Sequence, residues 1–256
     1  MKTNSPKPIL LIDGDQFLYE VCSALEVEAD WGDDLWTLHT DLGECKKALE
    51  ARLDGVRKRL GSPRFTFCLS ANVNFRKGVL PTYKAQRKKV RKPLAYHALK
   101  KWAEEQYDCI AMPELEADDV MGILATQESP DTYIIVSEDK DMQTIPTTLF
   151  RKGELFTQRE HEADYFFLYQ TLIGDVTDGY KGCPGMGPKT AAKLLDPFNM
   201  NGGFDVSLAW DSVVAAYEKA GLTEADALQQ ARCARILRAS DWDAETQTVK
   251  LWNPTK

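Results

Sequence analysis

Acidic residues cluster in four separate places along this sequence, next to points where strands or helices are predicted to begin or end. The eight acids of these clusters are Asp13, Glu116, Asp118, Asp119, Asp139, Asp141, Asp175 and Asp178. Carboxylate oxygens are the ligands that hard divalent cations prefer, so the clusters indicate magnesium or manganese chemistry. An acidic helix start stabilised by the helix dipole is the simpler interpretation, but it accounts for only one or two of these residues.

The elements predicted around the acids would bring them together. The apolar run Ile9–Ile12 ends at Asp13, and a second apolar run, Tyr133–Ser137, precedes Asp139 and Asp141. Apolar residues from 117 to 124 recur at i, i+3, i+4 and i+7, which predicts a buried helix just after the central acids. If these strand ends and helix starts converge at the carboxyl edge of an open α/β sheet, the acids share one cleft.

Such a cluster needs cations. Two carboxylate charges about 4 Å apart repel by roughly 4 kcal/mol at an effective dielectric constant near 20. Because a shared carboxylate cluster commonly holds a pair of ions, the sequence predicts two Mg²⁺ or Mn²⁺ ions.

Composition and charge bound the function. A chain of 256 residues with 43% hydrophobic residues can bury a sizeable core, and its net charge is −7. No acid occurs between Asn72 and Ala103. The bases of this interval, which we call the basic arm, are Arg76, Lys77, Lys84, Arg87, Lys88, Lys89, Arg91, Lys92, Lys100 and Lys101. An acidic body with one basic arm suits a protein that holds metal in one place and phosphate in another.

The basic arm is predicted to contact phosphate. A solvated helix face explains most charge runs, but here Tyr83 is interleaved with bases and acids are absent. Basic residues interleaved with an aromatic residue are typical of nucleic-acid contact.

A glycine-rich turn lies between Gly182 and Thr190. It fails as a P-loop, because Pro188 separates Gly187 from Lys189 and no strand precedes it. It fits a variant of the helix–turn–helix, in which glycines allow phosphate to approach backbone N–H groups and proline opens the second helix. The residues expected to grip the DNA backbone there are Gly185, Gly187, Lys189, Thr190 and Lys193.

Cysteines and histidines carry no metal pattern. The six cysteines are scattered without a CxxC pair, and His39, His97 and His161 are isolated, so a zinc site has no support. The cysteines are expected to be reduced, and no signal peptide or membrane span is found. We therefore expect a cytoplasmic protein, in a bacterial host if a phage encodes it.

Four motifs in order resemble the 5′-nuclease (flap endonuclease) family, in particular the small phage-type 5′→3′ exonucleases. Asp13 after the first strand precedes them, and the likeness spans residues 8 to 196. The motifs are the segments 116–119, 137–141, 174–178 and 182–190. The resemblance implies an α/β fold with a mixed, mostly parallel sheet flanked by helices, a basic helical arch at about 72–103 and a helix–three-turn–helix that binds potassium.

The resemblance also implies one domain, 1–256, with a catalytic core at 8–180 and the helix–three-turn–helix and C-terminal helical part at 181–256. Asp13, Glu116 and Asp118 resemble the ligands of the first metal. The residues that resemble those around the second are Asp139, Asp141, Asp175 and Asp178, with Asp119 close by. Lys84 and Arg87 match bases that hold the scissile phosphate, and they join Asp13, Asp118 and Asp139 as catalytic residues. Arg76 is expected to contact DNA, and Tyr83 to stack on a terminal base.

The implied activity is metal-dependent 5′→3′ exonuclease and flap endonuclease cleavage of duplex DNA at 5′ ends, nicks or flaps, and of RNA–DNA primers. Such an enzyme would act as a monomer in replication or recombination. Two alternatives stay open from the residues: a PIN-like ribonuclease, which shares an acidic α/β cleft, and a DNA-binding module with an impaired active site.

One departure from the family concerns the first metal. The family places a carboxylate a few residues before the Phe75-Arg76 pair, where this sequence has none. Asn72 is interpreted as the neutral replacement, with Asp15 as the nearest compensating acid. A neutral ligand would hold the first metal more weakly.

Overall fold

The computed structural model describes residues 7–200 and 202–254, so the two ends of the predicted 1–256 domain lie outside the described residues. The α-helices are α1 (Gly14–Ala24), α2 (Leu42–Leu60), α3 (Arg76–Val79), α4 (Tyr96–Gln106), α5 (Ala117–Thr126), α6 (Glu160–Ile173), α7 (Pro188–Leu195), α8 (Val206–Lys219) and α9 (Glu224–Ala234). The strands are β1 (Ile9–Asp13), β2 (Val27–Asp30), β3 (Trp36–His39), β4 (Phe65–Cys68), β5 (Cys109–Ile110), β6 (Tyr133–Val136), β7 (Thr148–Arg151), β8 (Glu154–Thr157), β9 (Asn199–Met200), β10 (Gly203–Phe204), β11 (Trp242–Asp243) and β12 (Thr248–Val249).

Six strands form the central sheet in the order β5-β4-β1-β6-β7-β8. All neighbours pair in parallel except β7 and β8. The chain moves from β1 to β4 and β5 on one side and then returns to β6 on the other. This reversal opens a crevice beyond the carboxyl ends of β1 and β6, the usual place for a ligand in an open α/β sheet. The predicted mixed, mostly parallel sheet is confirmed.

Alternation along the strands divides the core into two layers. Leu10 and Ile12 of β1 pack in one cluster with residues of α1, α2 and α4. Leu11, between them, packs in the opposite cluster with α5 and with Ile236 and Leu237. Successive side chains of a strand point to opposite faces, so one continuously apolar strand supplies both layers.

A third apolar cluster joins helices α6 to α9. Trp252 closes it from the C-terminal segment, because its ring centroid lies 5.0 Å from that of Phe167 and 5.0 Å from that of Trp210. Tyr83 of the basic arm belongs to this same cluster. The arm is therefore packed onto the helical part of the molecule as well as onto the sheet.

The strand Ile9–Asp13 ends at Asp13, as the sequence predicts. A two-stranded antiparallel hairpin, β2–β3, follows α1 and leads into the helix Leu42–Leu60. Gly61 ends this helix in a left-handed conformation, with its N–H donated to carbonyls of the last turn.

The basic arm contains less regular helix than the predicted helical arch. It consists of the short helix α3, a 3₁₀ turn at Ala85–Lys89 and irregular chain up to α4. Lys84 is in the left-handed region at φ 51°, where its N–H donates to the carbonyl of Asp178 at 2.8 Å. This unusual backbone conformation is thus held by a contact with the acidic segment after α6.

The glycine-rich turn connects α6 to α7, the pair of helices predicted to form the helix–three-turn–helix. Gly174 and Gly182 cross so closely that a Cβ on Gly182 would lie 2.4 Å from the Gly174 nitrogen. Gly187 caps α7 and Pro188 is its first residue, as the sequence predicts. Identification of this arrangement with the family motif stays a prediction.

None of the helices formed by residues 7–200 and 202–254 has both the length and the apolar character of a membrane span.

Gly122 tests the packing of the C-terminal segment across α5. A Cβ at this position would lie 2.2 Å from the Leu237 carbonyl oxygen, which is backbone and cannot rotate away. We expect Gly122→Ala to lower the free energy of unfolding by about 2 to 4 kcal/mol in urea titrations. Gly55→Ala, at an exposed site of α2 with no atom within 4 Å of the added Cβ, is the control and should stabilise by about 0.5 to 1 kcal/mol. Equal effects of the two substitutions would contradict the packing.

Candidate active site

A cleft of about 760 Å³ opens at the carboxyl edge of the central sheet. Six of the predicted site residues line it together: Asp13, Lys84, Arg87, Glu116, Asp118 and Asp139. Asp13 comes from the end of β1, Asp139 from the segment after β6 and Asp118 from the first turn of α5. The structure therefore brings together residues that lie more than a hundred positions apart, as the sequence predicts.

Asp13 is fixed by two hydrogen bonds. As the N-cap of α1 it accepts the N–H of Gln16 at 3.0 Å, and the Ser137 hydroxyl donates to its other oxygen at 2.8 Å. Ser137 also accepts the N–H of Asp139 at 3.1 Å. One serine, to which the sequence interpretation assigned no role, thus holds the ends of β1 and β6 in register at the cleft.

Asp13, Asp118 and Asp139 form no ion pair with any basic residue of the described chain. Burial raises the pKa of Asp13 to about 6, and the charges of Asp15 and Asp139 add to this effect. Burial also raises the pKa of Asp118 well above its ordinary value, with repulsion from Asp13 and Asp139. This group of three carboxylates has a deficit of positive charge.

Glu116 and Asp178 are neutralised by the basic arm. The Lys84 ammonium lies 2.6 Å from Glu116 Oε1 and 3.4 Å from the Asp178 carboxylate, and Arg87 donates to Asp178 at 2.7 Å. Burial raises the pKa of Glu116, but the charges of Lys84 and Arg76 outweigh it and lower the pKa to about 2. The basic arm therefore covers the cleft, and its basic side chains form ion pairs with Glu116 and Asp178.

Lys140 neutralises the remaining pair. Its ammonium lies 2.7 Å from Asp175 Oδ2 and 3.2 Å from Asp141 Oδ1, and Gln170 donates to Asp141 as well. The sequence interpretation assigned no role to Lys140 or Gln170. A lone base between two acids, at Asp139-Lys140-Asp141, is the signal that could have identified the lysine.

Three predicted site residues are buried in the framework of the protein. Asp119 is fully buried, and both its oxygens accept from the Arg76 guanidinium at 2.7 Å. Arg76 is 2% exposed. Tyr83 is 3% exposed, and its hydroxyl lies 3.0 Å from Glu116 and 3.1 Å from Asp178. This arrangement gives no support to metal binding by Asp119, to DNA contact by Arg76 or to base stacking by Tyr83, and these roles stay predictions.

Which residue stands in place of the missing carboxylate stays a prediction. Ser70 lines the cleft, whereas Asn72 is exposed and lies outside its lining. Ser70 accepts the N–H of Ala117 at 3.0 Å, which joins the end of β4 to the start of α5. Asp15 also lines the cleft, where it accepts the Ser70 N–H at 2.9 Å and the Tyr96 hydroxyl at 2.9 Å. Asp15 is thus an acid held by hydrogen bonds next to Ser70, near the place where the family carries the missing carboxylate.

The predicted DNA-backbone residues lie on the surface around the start of α7. Lys189, Thr190 and Lys193 are exposed, and Gly185 and Gly187 have open space where a side chain would be. These residues do not line the cleft, so they form a second basic site apart from the carboxylates.

The residues present fit divalent cations by charge and by donor type. All the side chains involved offer oxygen, and three of the carboxylates, of which Asp13 is buried and Asp118 half-buried, have no counter-ion, which favours a hard cation. No group of three or more acids, histidines or cysteines in the described ranges is already arranged as a finished metal site. Binding of ions would therefore have to rearrange the carboxylates that now face Lys84 and Lys140.

Comparison with known proteins gives consistent matches. A family model described as "5′-3′ exonuclease, N-terminal resolvase-like domain" matches residues 8–165. The exonuclease of Escherichia phage T7 is 34% identical, over 97% of this chain and 94% of that protein, and the exodeoxyribonuclease of Enterobacteria phage T3 is 33% identical, over 97% and 93%. A solved structure of the phage T5 flap endonuclease with DNA and metal ions matches with a TM-score of 0.56 at 14% identity, over 88% of this chain and 90% of that one. The T5 match shows a shared fold.

The raised pKa of Asp13 gives a pH-dependent prediction for the protein in EDTA. Because the folded state holds the proton more tightly than the unfolded state, stability should fall as the pH rises from about 4 through about 6. Asn can keep the N-cap hydrogen bond without the charge. We therefore expect Asp13→Asn to flatten this fall and to raise the free energy of unfolding at pH 7 by about 1 to 3 kcal/mol. Urea titrations at several pH values measure it, and an unchanged pH profile would contradict the charge deficit.

Proposed function

The chain belongs to the 5′-3′ exonuclease family, and we propose that it is a metal-dependent 5′→3′ exonuclease and 5′-flap endonuclease that hydrolyses DNA phosphodiesters near 5′ ends. The observation that carries the proposal is a set of three carboxylates without counter-ions, the buried Asp13, the half-buried Asp118 and the exposed Asp139, in a cleft covered by a basic arm. This arrangement supplies places for cations and for phosphate next to each other.

We assign the ions as two Mg²⁺ or Mn²⁺. Asp13 and Asp118, with Glu116 beside them, would hold the first. The second would be held by Asp139, Asp141, Asp175 and Asp178. When bound, such ions lower the pKa of a water molecule and stabilise the charge that develops on the phosphate. A potassium ion at the turn between Gly182 and Gly187 rests on the family resemblance alone.

The protein residues supply positioning and charge. Lys84 and Arg87 are directed into the cleft, so they are placed to hold the scissile phosphate once it replaces their carboxylate partners. Arg91 and Lys92 line the same cleft and extend its positive charge along the arm. Such preorganised charge is the usual source of rate enhancement in phosphoryl transfer.

A second contact would hold the duplex. Lys189 and Lys193 are four positions apart on α7 and therefore share one face, beside backbone N–H groups at its start. Contacts of this kind bind the phosphate backbone and read no sequence. The proposed substrates are duplex DNA with 5′ ends, nicks or flaps, and RNA–DNA primers, bound by a monomer that forms one domain.

Two other functions predict different results. A PIN-like ribonuclease would prefer single-stranded RNA, and a binding module with an impaired site would bind duplex DNA without cutting it. Asp13, which is buried, and Asp118, which is half-buried, have no counter-ion. They argue against an impaired site, because acids without a use would only destabilise the fold.

The decisive experiment is digestion of 5′-labelled flap, nicked, blunt and RNA-primed duplexes and of single-stranded RNA, with Mg²⁺, Mn²⁺ or EDTA. We expect cleavage of the DNA substrates with either ion and none in EDTA. Asp118→Asn should reduce turnover by at least about a hundredfold, because it removes a metal ligand while duplex binding stays within a few-fold. Near-normal turnover of Asp118→Asn in Mg²⁺ would refute its assignment, and a preference for RNA would favour the ribonuclease.

Lys189→Ala tests the second contact. We expect weaker binding of a nicked duplex and a salt dependence that is lower by about one phosphate contact, with turnover at saturating DNA unchanged. Fluorescence anisotropy across a salt series measures both quantities. Lys58→Ala, which removes the same charge from the exposed face of α2, is the matched control and should leave binding unaltered. Loss of turnover at saturation would instead place the turn in the active site.

A further inference from the structure

The predicted metal-binding acids that are not buried against Arg76 form three groups, and two of these groups already contact a lysine of the protein. Lys140 lies between Asp141 and Asp175, and Lys84 lies between Glu116 and Asp178. Lys84 has a second proposed role, because it lines the cleft in which the scissile phosphate would bind. Lys140 has none: its side chain is half exposed, and among the described residues its ammonium contacts only these two carboxylates.

Local hydrogen bonds orient the two carboxylates toward Lys140. Asp139 caps the 3₁₀ turn that Lys140 begins, by accepting the N–H of Asp141 at 2.9 Å. Asp175 directs one oxygen to the N–H groups of Thr177 and Asp178, at 2.7 and 3.2 Å, and so presents its other oxygen to the ammonium. Both carboxylates are oriented toward the same point in space, and Lys140 occupies it.

We propose that Lys140 is a resident counter-ion that sets the affinity of the Asp141–Asp175 site for its divalent ion. The ammonium and the ion would bind the same carboxylate oxygens, so the ion can bind only after Lys140 moves away. A half-exposed lysine on a flexible stem can turn out to solvent at little cost. This inference rests on the proposed function, which places the second ion between these acids.

The proposal predicts an unusual sign for a substitution next to two metal ligands. Removal of the Lys140 charge should tighten binding of the ion, whereas a lysine that merely orders the ligands would loosen it when removed. Because the charge is half exposed and partly screened, the expected gain is roughly three- to tenfold. The affinity for the ion held by Asp13 and Asp118 should change less than about twofold.

The experiment is Mn²⁺ binding to the DNA-free full-length protein, followed by electron paramagnetic resonance of free Mn²⁺ and by calorimetry. Lys140→Met should lower the dissociation constant of the Asp141–Asp175 site by three- to tenfold. Lys140→Arg keeps the charge and should resemble the unsubstituted protein. Lys152→Met removes the same charge from an exposed lysine in the β7–β8 turn, and it is the matched control. Weaker or unchanged Mn²⁺ binding by Lys140→Met would overturn the proposal.

A second measurement does not depend on resolving two sites. Without divalent ions, Lys140→Met should lower the melting temperature, because Asp141 and Asp175 then face each other without a cation. Saturating Ca²⁺, which replaces that cation, should raise the melting temperature of this variant more than that of the unsubstituted protein. Lys152→Met should show the same Ca²⁺ response as the unsubstituted protein. Equal responses of all three would contradict competition at this site.

A double-mutant cycle assigns the effect. In an Asp175→Asn background the Asp141–Asp175 site loses a ligand, and Lys140→Met should then produce no further gain in affinity. A gain that persists in this background would mean that Lys140 acts at long range and would overturn the proposal. If the unsubstituted protein binds no divalent ion at all, the proposed function fails; if it binds two ions and Lys140→Met has no effect, only this inference fails.

Discussion

The buried ion pair between Arg76 and Asp119 connects the parts of the molecule that form the cleft. Its two hydrogen bonds are each 2.7 Å long, and Arg76 also donates to the carbonyls of Cys233 and Arg235. Asp119 accepts in addition from the N–H of Leu237 at 3.1 Å. These contacts thus fix the start of the basic arm, the first turn of α5 and the C-terminal segment to one another. Loss of one partner would leave a buried charge unpaired, at a cost of about 3 to 5 kcal/mol.

This ion pair explains why the neighbouring acids Asp118 and Asp119 have different environments. Successive residues of an α-helix point about 100° apart, so fixing Asp119 against Arg76 turns Asp118 toward the cleft. Asp119 has two cationic donors at short range and is stable as a buried anion. Asp118 has no such partner, and burial raises its pKa well above the ordinary value. The first is part of the framework, and the second is held in a state that a cation would relieve.

Sequence reasoning recovered the parts of this arrangement that depend on strand order. Asp13 and Asp139 follow apolar runs that pair in parallel, and parallel strands end at one edge, so their convergence could be predicted. The roles of Arg76, Tyr83 and Asp119 could not, because a charged or aromatic residue in a basic arm or an acidic cluster has the same sequence signal whether it is buried or exposed. The choice between Ser70 and Asn72 for the position of the missing acid could not be made from the sequence for a different reason. An offset of two residues after β4 decides which side chain enters the cleft, and pattern alone does not fix that register.

The contact between the basic arm and the acidic segment 174–180 holds basic side chains of the arm against the carboxylates. Gly179, at φ 81°, allows the Thr82 carbonyl to approach so closely that a Cβ there would lie 2.9 Å from it, and Gln86 donates to the carbonyls of Val176 and Thr177. Lys84 and Arg87 consequently have carboxylate partners when no phosphate is present. Under the proposed function, a divalent ion that takes over Glu116 or Asp178 would weaken these pairs and free the bases for phosphate. By linkage, phosphate that engages the bases would then strengthen ion binding by the same free energy, so the proposed function implies cooperative binding of ions and DNA.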